Sequence, residues 1–256
     1  MDQPLEQRSV VARVGALLNA ISASHVPLTL SEIAERADIP LSSAHRLLNE
    51  LVEIDLVTRR SRRYHMNLHV FEIGLQIPWM RTLREAAEPH MAKHALVSNH
   101  VVNIGVLRGG DVLYVAKVTG PGGPILQSTL GGRLPAHCTA LGKLLLAHLD
   151  PHDAFRILDS DLERLSPYST TVLPVLSEEF VKIRKEGVAY DREEVSFGLF
   201  CAAVPVRSQS QVVAGVSVSA RSKDVHEPRS IRLLKGLASQ IEESLEASRY
   251  PLDIEA

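Results

Sequence analysis

The sequence predicts an α+β chain of two domains: a small helical head that ends in a basic hairpin, and a larger α/β domain whose sheet is mostly antiparallel. Three observations predict it. Apolar residues recur at helical spacing in three short segments before Asp55, and four arginines then fall within five positions. Beyond His100, hairpin-joined strands alternate with helices. A length of 256 residues suits two domains of ordinary size.

In the head, Val10, Val11, Val14, Leu17, Leu18 and Ile21 form one helical stripe, and Ser9 is placed to cap it. A second short helix carries Ile33, Ala34 and Ala37, with Ser31 as its expected cap. Pro40 must end it, because proline lacks an N–H and pushes Ile39 out of the α region. The third helix has an apolar stripe of Ala44, Leu47, Leu48, Leu51 and Ile54, which leaves Ser42, Ser43, His45, Arg46 and Asn49 on the other side. Two short helices, a tight turn and an amphipathic second helix make a helix-turn-helix pattern.

Asp55 to Met66 alternates polar and apolar residues around Arg59, Arg60, Arg62 and Arg63, the pattern of a two-stranded wing. No acidic residue occurs from Leu56 to Phe71. The whole chain has 28 Lys and Arg against 30 Asp and Glu, a net charge of -2, so bulk positive charge does not bind it to nucleic acid or membrane. Any nucleic-acid surface must be local. An isolated arginine run reads more readily as a solvated loop, but directly after a helix-turn-helix the preference reverses, since the wing then lies beside phosphates.

Helical spacing resumes at Leu68 with Phe71, Ile73, Leu75 and Ile77, interrupted by Pro78 and Pro89. The expected organisation is a head over 1–67, a linker helix over 68–82 and a second domain over 83–256. In that domain, Val101–Leu107 and Val112–Val118 read as a hairpin around Gly109-Gly110. Thr139 to His148 reads as a buried helix, and Asp150-Pro151 starts the next. Leu176, Phe180 and Ile183 mark a further helix, which Gly187 stops. Strands at Leu199–Val206 and Val212–Ala220 precede a last helix from about Pro228.

Two cysteines, Cys138 and Cys201, exclude a disulfide framework, and the first residues lack the pattern of a signal peptide. The apolar run 141–149 is too short to span a bilayer and contains Lys143. A cytoplasmic protein without membrane partners is expected.

Several ordered motifs carry a resemblance to a known family. SEIAERADIPLSSAHRLLNELVEIDLV, GRLPAHCTALGKLLLA, EGVAYDREEVSFGLFCAAVPV and VVAGVSVSA resemble the IclR family of bacterial transcriptional regulators from about Ser9 to Leu245. The resemblance implies an N-terminal winged helix-turn-helix, a linker helix and a C-terminal effector and oligomerisation domain related to GAF and PAS folds. It implies a double-stranded operator, a homodimer or homotetramer, and a small-molecule effector, often an organic or aromatic acid. Ser42, Ser43 and Arg46 would meet base edges, with His45 and Asn49 as contributors, while Arg59, Arg60, Arg62 and Arg63 would meet phosphates. Ser42 and Ser43 also read as cap and first-turn residues.

Positions aligned with the family's pocket are Leu126, Leu134, Ala140, Leu141, Asp191, Leu199, Cys201, Ser217 and Ser219. Their residue types suit such a pocket. Ala140 and Leu141 begin a helix, where free N–H groups favour an anion, and Ser217 and Ser219 stand two apart on one strand face. Leucines supply an apolar wall. Cys201 also reads as a small buried hydrophobe, and Asp191 as an organiser of the Tyr190–Glu194 turn. For Cys201 to share the serine face, the position numbers of opposed residues must sum to an even number. This predicts an odd loop of about three residues within Ser208–Gln211; a two-residue loop with no bulge would remove Cys201 from the pocket.

Two other functions compete. An enzyme would need a thiol and imidazole couple from His137, Cys138 and Cys201, or a metal on them, yet no CxxC, HExxH, GxSxG or phosphate loop occurs. Neither catalysis, a cofactor nor a metal is expected. The alternative is a GAF-like sensor whose head binds a protein rather than DNA; the arginine wing discriminates the two.

Overall fold

The computed structural model describes residues 9–24, 26–158 and 162–248. The chain divides into two compact units between Ile77 and Pro78.

The first unit is a three-helix head with a three-stranded sheet. Helix α1 (Val10–Ser22) is capped by Ser9, whose Oγ accepts from Ala12 N at 3.1 Å. Strand β1 (Leu28–Thr29) leads into α2 (Leu30–Ala37). The cap of α2 is Thr29 and not Ser31: Thr29 Oγ1 accepts from Glu32 N, and Glu32 Oε2 accepts from Thr29 N at 2.6 Å. This reciprocal pair satisfies two N-terminal donors, where a lone serine would satisfy one. Asp38 then takes a left-handed conformation, and α3 (Leu41–Glu53) starts after Pro40 without a side-chain cap. Ser42 therefore lies inside α3 rather than at its cap. Ala44, Leu47, Leu48 and Leu51 pack on Leu17, Ile21 and Ile33, while Ile54, expected in the stripe, is exposed beyond the helix end.

The wing is β2 (Val57–Arg60) and β3 (Arg63–Met66), antiparallel, with β3 in the middle of the order β1-β3-β2. Helix α4 (Leu68–Leu75) follows, capped by Asn67, and buries none of its residues. Where one linker helix is expected over 68–82, the helix breaks at Gln76-Ile77, because Pro78 disfavours helical backbone at the residue before it.

The second unit is a six-stranded antiparallel sheet with helices on both faces. In chain order it comprises α5 (Pro78–Ser98), β4 (Val101–Arg108), β5 (Asp111–Thr119), β6 (Arg133–Pro135), α6 (Ala140–Ala147), α7 (Pro151–Ile157), α8 (Leu173–Glu186), β7 (Ala189–Arg192), β8 (Phe200–Ser208), β9 (Gln211–Ala220) and α9 (Pro228–Glu246). The sheet order is β6-β5-β4-β9-β8-β7. The expected hairpins, helices and left-handed Gly187 stop are present; β6 and β7 were not anticipated. One face packs on α5 and α9 through Val102, Ile104, Val204, Val206, Val216 and Val218. The other packs on α6 and α8.

Parity on this sheet is set by two bulges. The β8–β9 turn has two residues, Gln209 and Ser210, both with positive φ, and not the three expected. A type I′ pair matches strand twist at its own steric cost. Cys201 nonetheless opposes Ser219, because the register shifts between Val206 and Arg207 and leaves Val213 unpaired. The bulge restores the even sum that the loop length alone would break. A second shift, between Ile104 and Gly105, leaves Val115 unpaired and turns Tyr114 onto the same face as Asn103.

Candidate functional site

The outward side of α3 is formed by side chains that the head's core does not need. Ser42, His45 and Arg46 are exposed, and Ser43 and Asn49 half-buried. Arg46 Nη1 pairs with Glu50 Oε1 at 2.6 Å across one turn, an exposed i,i+4 pair worth about 0.3–0.5 kcal/mol. A guanine edge could therefore replace Glu50 at little cost.

The wing arginines are not equivalent. Ser61 and Arg62 form the turn with positive φ, and Arg59 stacks over the Tyr64 ring at 5.5 Å. Arg63 instead ties the wing to the head: its Nη1 donates to Pro27 O at 2.9 Å and lies 3.7 Å from Glu32 Oε2. Arg59, Arg60 and Arg62 keep their charges outward, and Arg63 is partly a structural tie.

In the second unit, Leu126, Leu134, Ala140, Leu141, Asp191, Leu199, Cys201, Ser217 and Ser219 all line one cavity. Its floor is two rows of opposed residues across the sheet. Asp191, Cys201 and Ser219 form the first, and Ser217 and Asn103 the second. Its roof is the start of α6. That helix sits close because Gly105 and Gly215 face it: a Cβ on Gly215 would come within 2.7 Å of Leu141 Cδ2, and one on Gly105 within 3.1 Å of Leu141 Cδ1. Thr139 Oγ1 accepts from Gly142 N at 2.9 Å, so Thr139 caps α6 while the Ala140 and Leu141 amides remain without helical acceptors. These donors and the helix dipole make a local anion site.

Asp191 is not only a turn organiser. Its Oδ1 accepts from Glu194 N at 2.7 Å, while its carboxyl also lines the cavity. Burial, reinforced by the Glu194 charge, pushes the carboxyl up to about 7. Burial likewise raises the Cys201 thiol well above its ordinary value, and Asp191 adds to this. Cys201 is thus a neutral thiol and a poor nucleophile.

Sequence reasoning missed Asn103, Tyr114, Gln127, Ser128, Thr139 and Val195, which line the same cavity. Asn103 had a signal, a lone amide in the apolar run VVNIGVL. Gln127 and Ser128 lie in the irregular segment 120–132, where spacing carries no information. Also missed was the ion cluster behind the pocket. Lys143, 1% exposed, donates to Glu194 Oε1 at 2.6 Å and Glu179 Oε1 at 2.8 Å. Burial opposes its charge, but the two carboxylates outweigh that and hold the ammonium charged. The cluster fastens α6 to α8 and, through Glu194 N, to Asp191.

The thiol and imidazole groups of the competing enzyme reading are otherwise engaged. His137 Nε2 donates to Glu163 O at 2.8 Å, Cys138 Sγ donates to Pro135 O at 3.5 Å, and burial pushes the Cys138 thiol up to about 12. Among the described residues, no three His, Cys, Asp or Glu side chains come together as metal ligands, and no helix is long and apolar enough to cross a membrane.

Comparison with known proteins places both units. Residues 10–61 match the IclR helix-turn-helix domain, and residues 80–243 match the bacterial transcriptional regulator IclR C-terminal domain. The HTH-type transcriptional repressor AllR of Escherichia coli K12 is 28% identical over 97% of this chain and 95% of its own length. AllR of Salmonella typhi is 29% identical over 95% and 93%. Among solved structures, an IclR homolog from Microbacterium hydrocarbonoxydans complexed with 4-hydroxybenzoate is 26% identical, with a TM-score of 0.87 over 94% of this chain and 100% of that one. The Thermotoga maritima IclR is 27% identical, with a TM-score of 0.70 over 92% and 98%. The chain belongs to the IclR family of bacterial transcriptional regulators, with a helix-turn-helix DNA-binding domain and a C-terminal effector-binding domain.

Proposed function

We propose that this regulator reads operator bases with Ser42, Ser43, His45, Arg46 and Asn49 of α3, grips phosphates with the wing, and is controlled by a small organic or aromatic acid in the cavity above β8 and β9. One observation carries the effector half. Nine residues scattered from Leu126 to Ser219 line a single cavity that joins an anion-favouring helix start to apolar walls. The structural relative that carries 4-hydroxybenzoate supports the ligand class. A ligand acts on DNA affinity only through its different affinity for the two operator-binding states.

Footprinting on the protein's own upstream region, with and without a panel of acids, tests the whole reading. Arg46→Ala is expected to weaken operator binding about 10- to 100-fold, as loss of a bidentate guanine contact would. Replacing Arg59, Arg60 and Arg62 by alanine is expected to weaken all sequences and to lower the salt slope by about one per phosphate contact. If the head binds a protein instead, neither variant changes DNA affinity.

A homodimer, or a homotetramer built from it, is the assembly we infer. On α4, Leu68, Phe71, Ile73 and Leu75 are 41–69% exposed, an apolar surface suited to a second copy of the chain. Paired heads would then read half-sites about one helical turn, or a multiple of it, apart. Sedimentation of Phe71→Glu against the unaltered protein tests this, the variant being expected to dissociate at concentrations where the parent does not. A regulator that works on chromosomal DNA acts in the cytoplasm.

A further inference from the structure

Two buried polar atoms without a hydrogen-bond partner among the described residues belong to side chains that line the pocket. Asn103 is 2% exposed and Ser128 5%, and neither Asn103 Oδ1 nor Ser128 Oγ has a hydrogen-bond partner among the described residues. They reach the cavity from different directions. Asn103 stands in β4 opposite Ser217 of β9, so the two side chains are neighbours on the floor, while Ser128 comes from segment 120–132. Lys117, the cation opposite Asn103 on β5, is already engaged, donating to Ser128 O at 2.5 Å.

Buried acceptors are ordinarily paired, because an unmade bond in a low-dielectric site carries the full cost of desolvation. Ser217, Ser219 and the α6 amides are donors, suited to a carboxylate. A carboxylate cannot satisfy Asn103 Oδ1, which needs a donor. One ligand meeting both ends carries an acid and, a short distance away, a hydroxyl or amine.

We propose that Asn103 and Ser128 are the specificity-determining residues of this pocket, selecting a carboxylic acid that bears a hydroxyl or amine over its unsubstituted counterpart. This rests on the assignment of the cavity as the effector site. It also gives Asn103 a role apart from folding, since its amide oxygen has no hydrogen-bond partner among the described residues.

Calorimetry on the full chain with matched acids tests it: acetate against glycolate, propionate against lactate and 3-hydroxypropionate, and benzoate against 4-hydroxybenzoate. At least one hydroxy acid is expected to bind about tenfold or more tightly than its unsubstituted partner. Asn103→Leu is expected to bring that ratio within about twofold while leaving the Tm of the free protein unchanged or higher, because it removes an unpaired buried amide. Ser128→Ala, a smaller change, is expected to reduce the ratio in the same direction. Equal binding within every pair, or a lowered Tm for Asn103→Leu with an intact ratio, overturns the proposal while leaving the effector site standing. Failure of all seven acids to bind overturns both.

Discussion

The two faces of the six-stranded sheet are made by the same strands and do different work. Towards α5 and α9, alternate residues are apolar, chiefly valine, isoleucine and alanine, within one core with Met91, Leu234 and Ile241. Towards α6, the intervening residues include Asp191, Cys201, Ser219, Ser217 and Asn103, every one buried. The difference teaches how strand alternation separates stability from recognition. A side chain on one face can be changed with little effect on the other, provided the bulges at Val115 and Val213 keep the register.

The largest effect that would sharpen this contrast lies at Lys143. Lys143→Ala leaves Glu194 buried without its cation and is expected to cost about 3–5 kcal/mol in urea unfolding. Leu234→Ala, on the apolar face, is expected to cost about 2–5 kcal/mol. The two should separate in binding: Lys143→Ala disturbs the Asp191 and Glu194 corner and weakens acid binding, and Leu234→Ala leaves it within about twofold. Equal loss of binding in both would break the contrast.

A smaller effect is expected at Asp191. Its carboxyl, pushed up to about 7 from an ordinary 3.8, binds more protons in the folded than in the unfolded chain between those values. Stability therefore declines as pH rises through that window and levels off above it. Asp191→Asn is expected to remove this decline and to raise Tm at pH 8, read by thermal melts from pH 4 to 9. An anion beside the protonated acid also favours the proton, so acid binding is expected to weaken above pH 7 in the parent and much less in the variant.

Legibility in the sequence followed the physics that positions each residue. The head was readable from spacing alone, since helix period, Pro40 and an arginine hairpin are local signals. Its errors were local too: Thr29 and Glu32 outcompeted Ser31 through a reciprocal cap, and Pro78 split the linker. The pocket was readable only where a motif placed Asp191, Cys201 and the serines. Parity reasoning reached the right face for Cys201 by the wrong route, because a bulge costs one residue and leaves no mark in composition. Lys143 illustrates the remaining gap, since a lysine in an apolar helix announces a partner but not that Glu179 and Glu194 supply it from 36 and 51 residues away.

If the polar face governs the head, acid bound there must change operator affinity. Operator affinity is titrated by fluorescence anisotropy for the parent and for Ser217→Ala/Ser219→Ala, with and without an acid that binds the parent. The acid is expected to shift operator affinity in the parent, and the double variant to bind the operator as the parent does without acid but no longer to respond. A variant that responds as strongly as the parent, or a bound acid that leaves parental operator affinity unchanged, would contradict it.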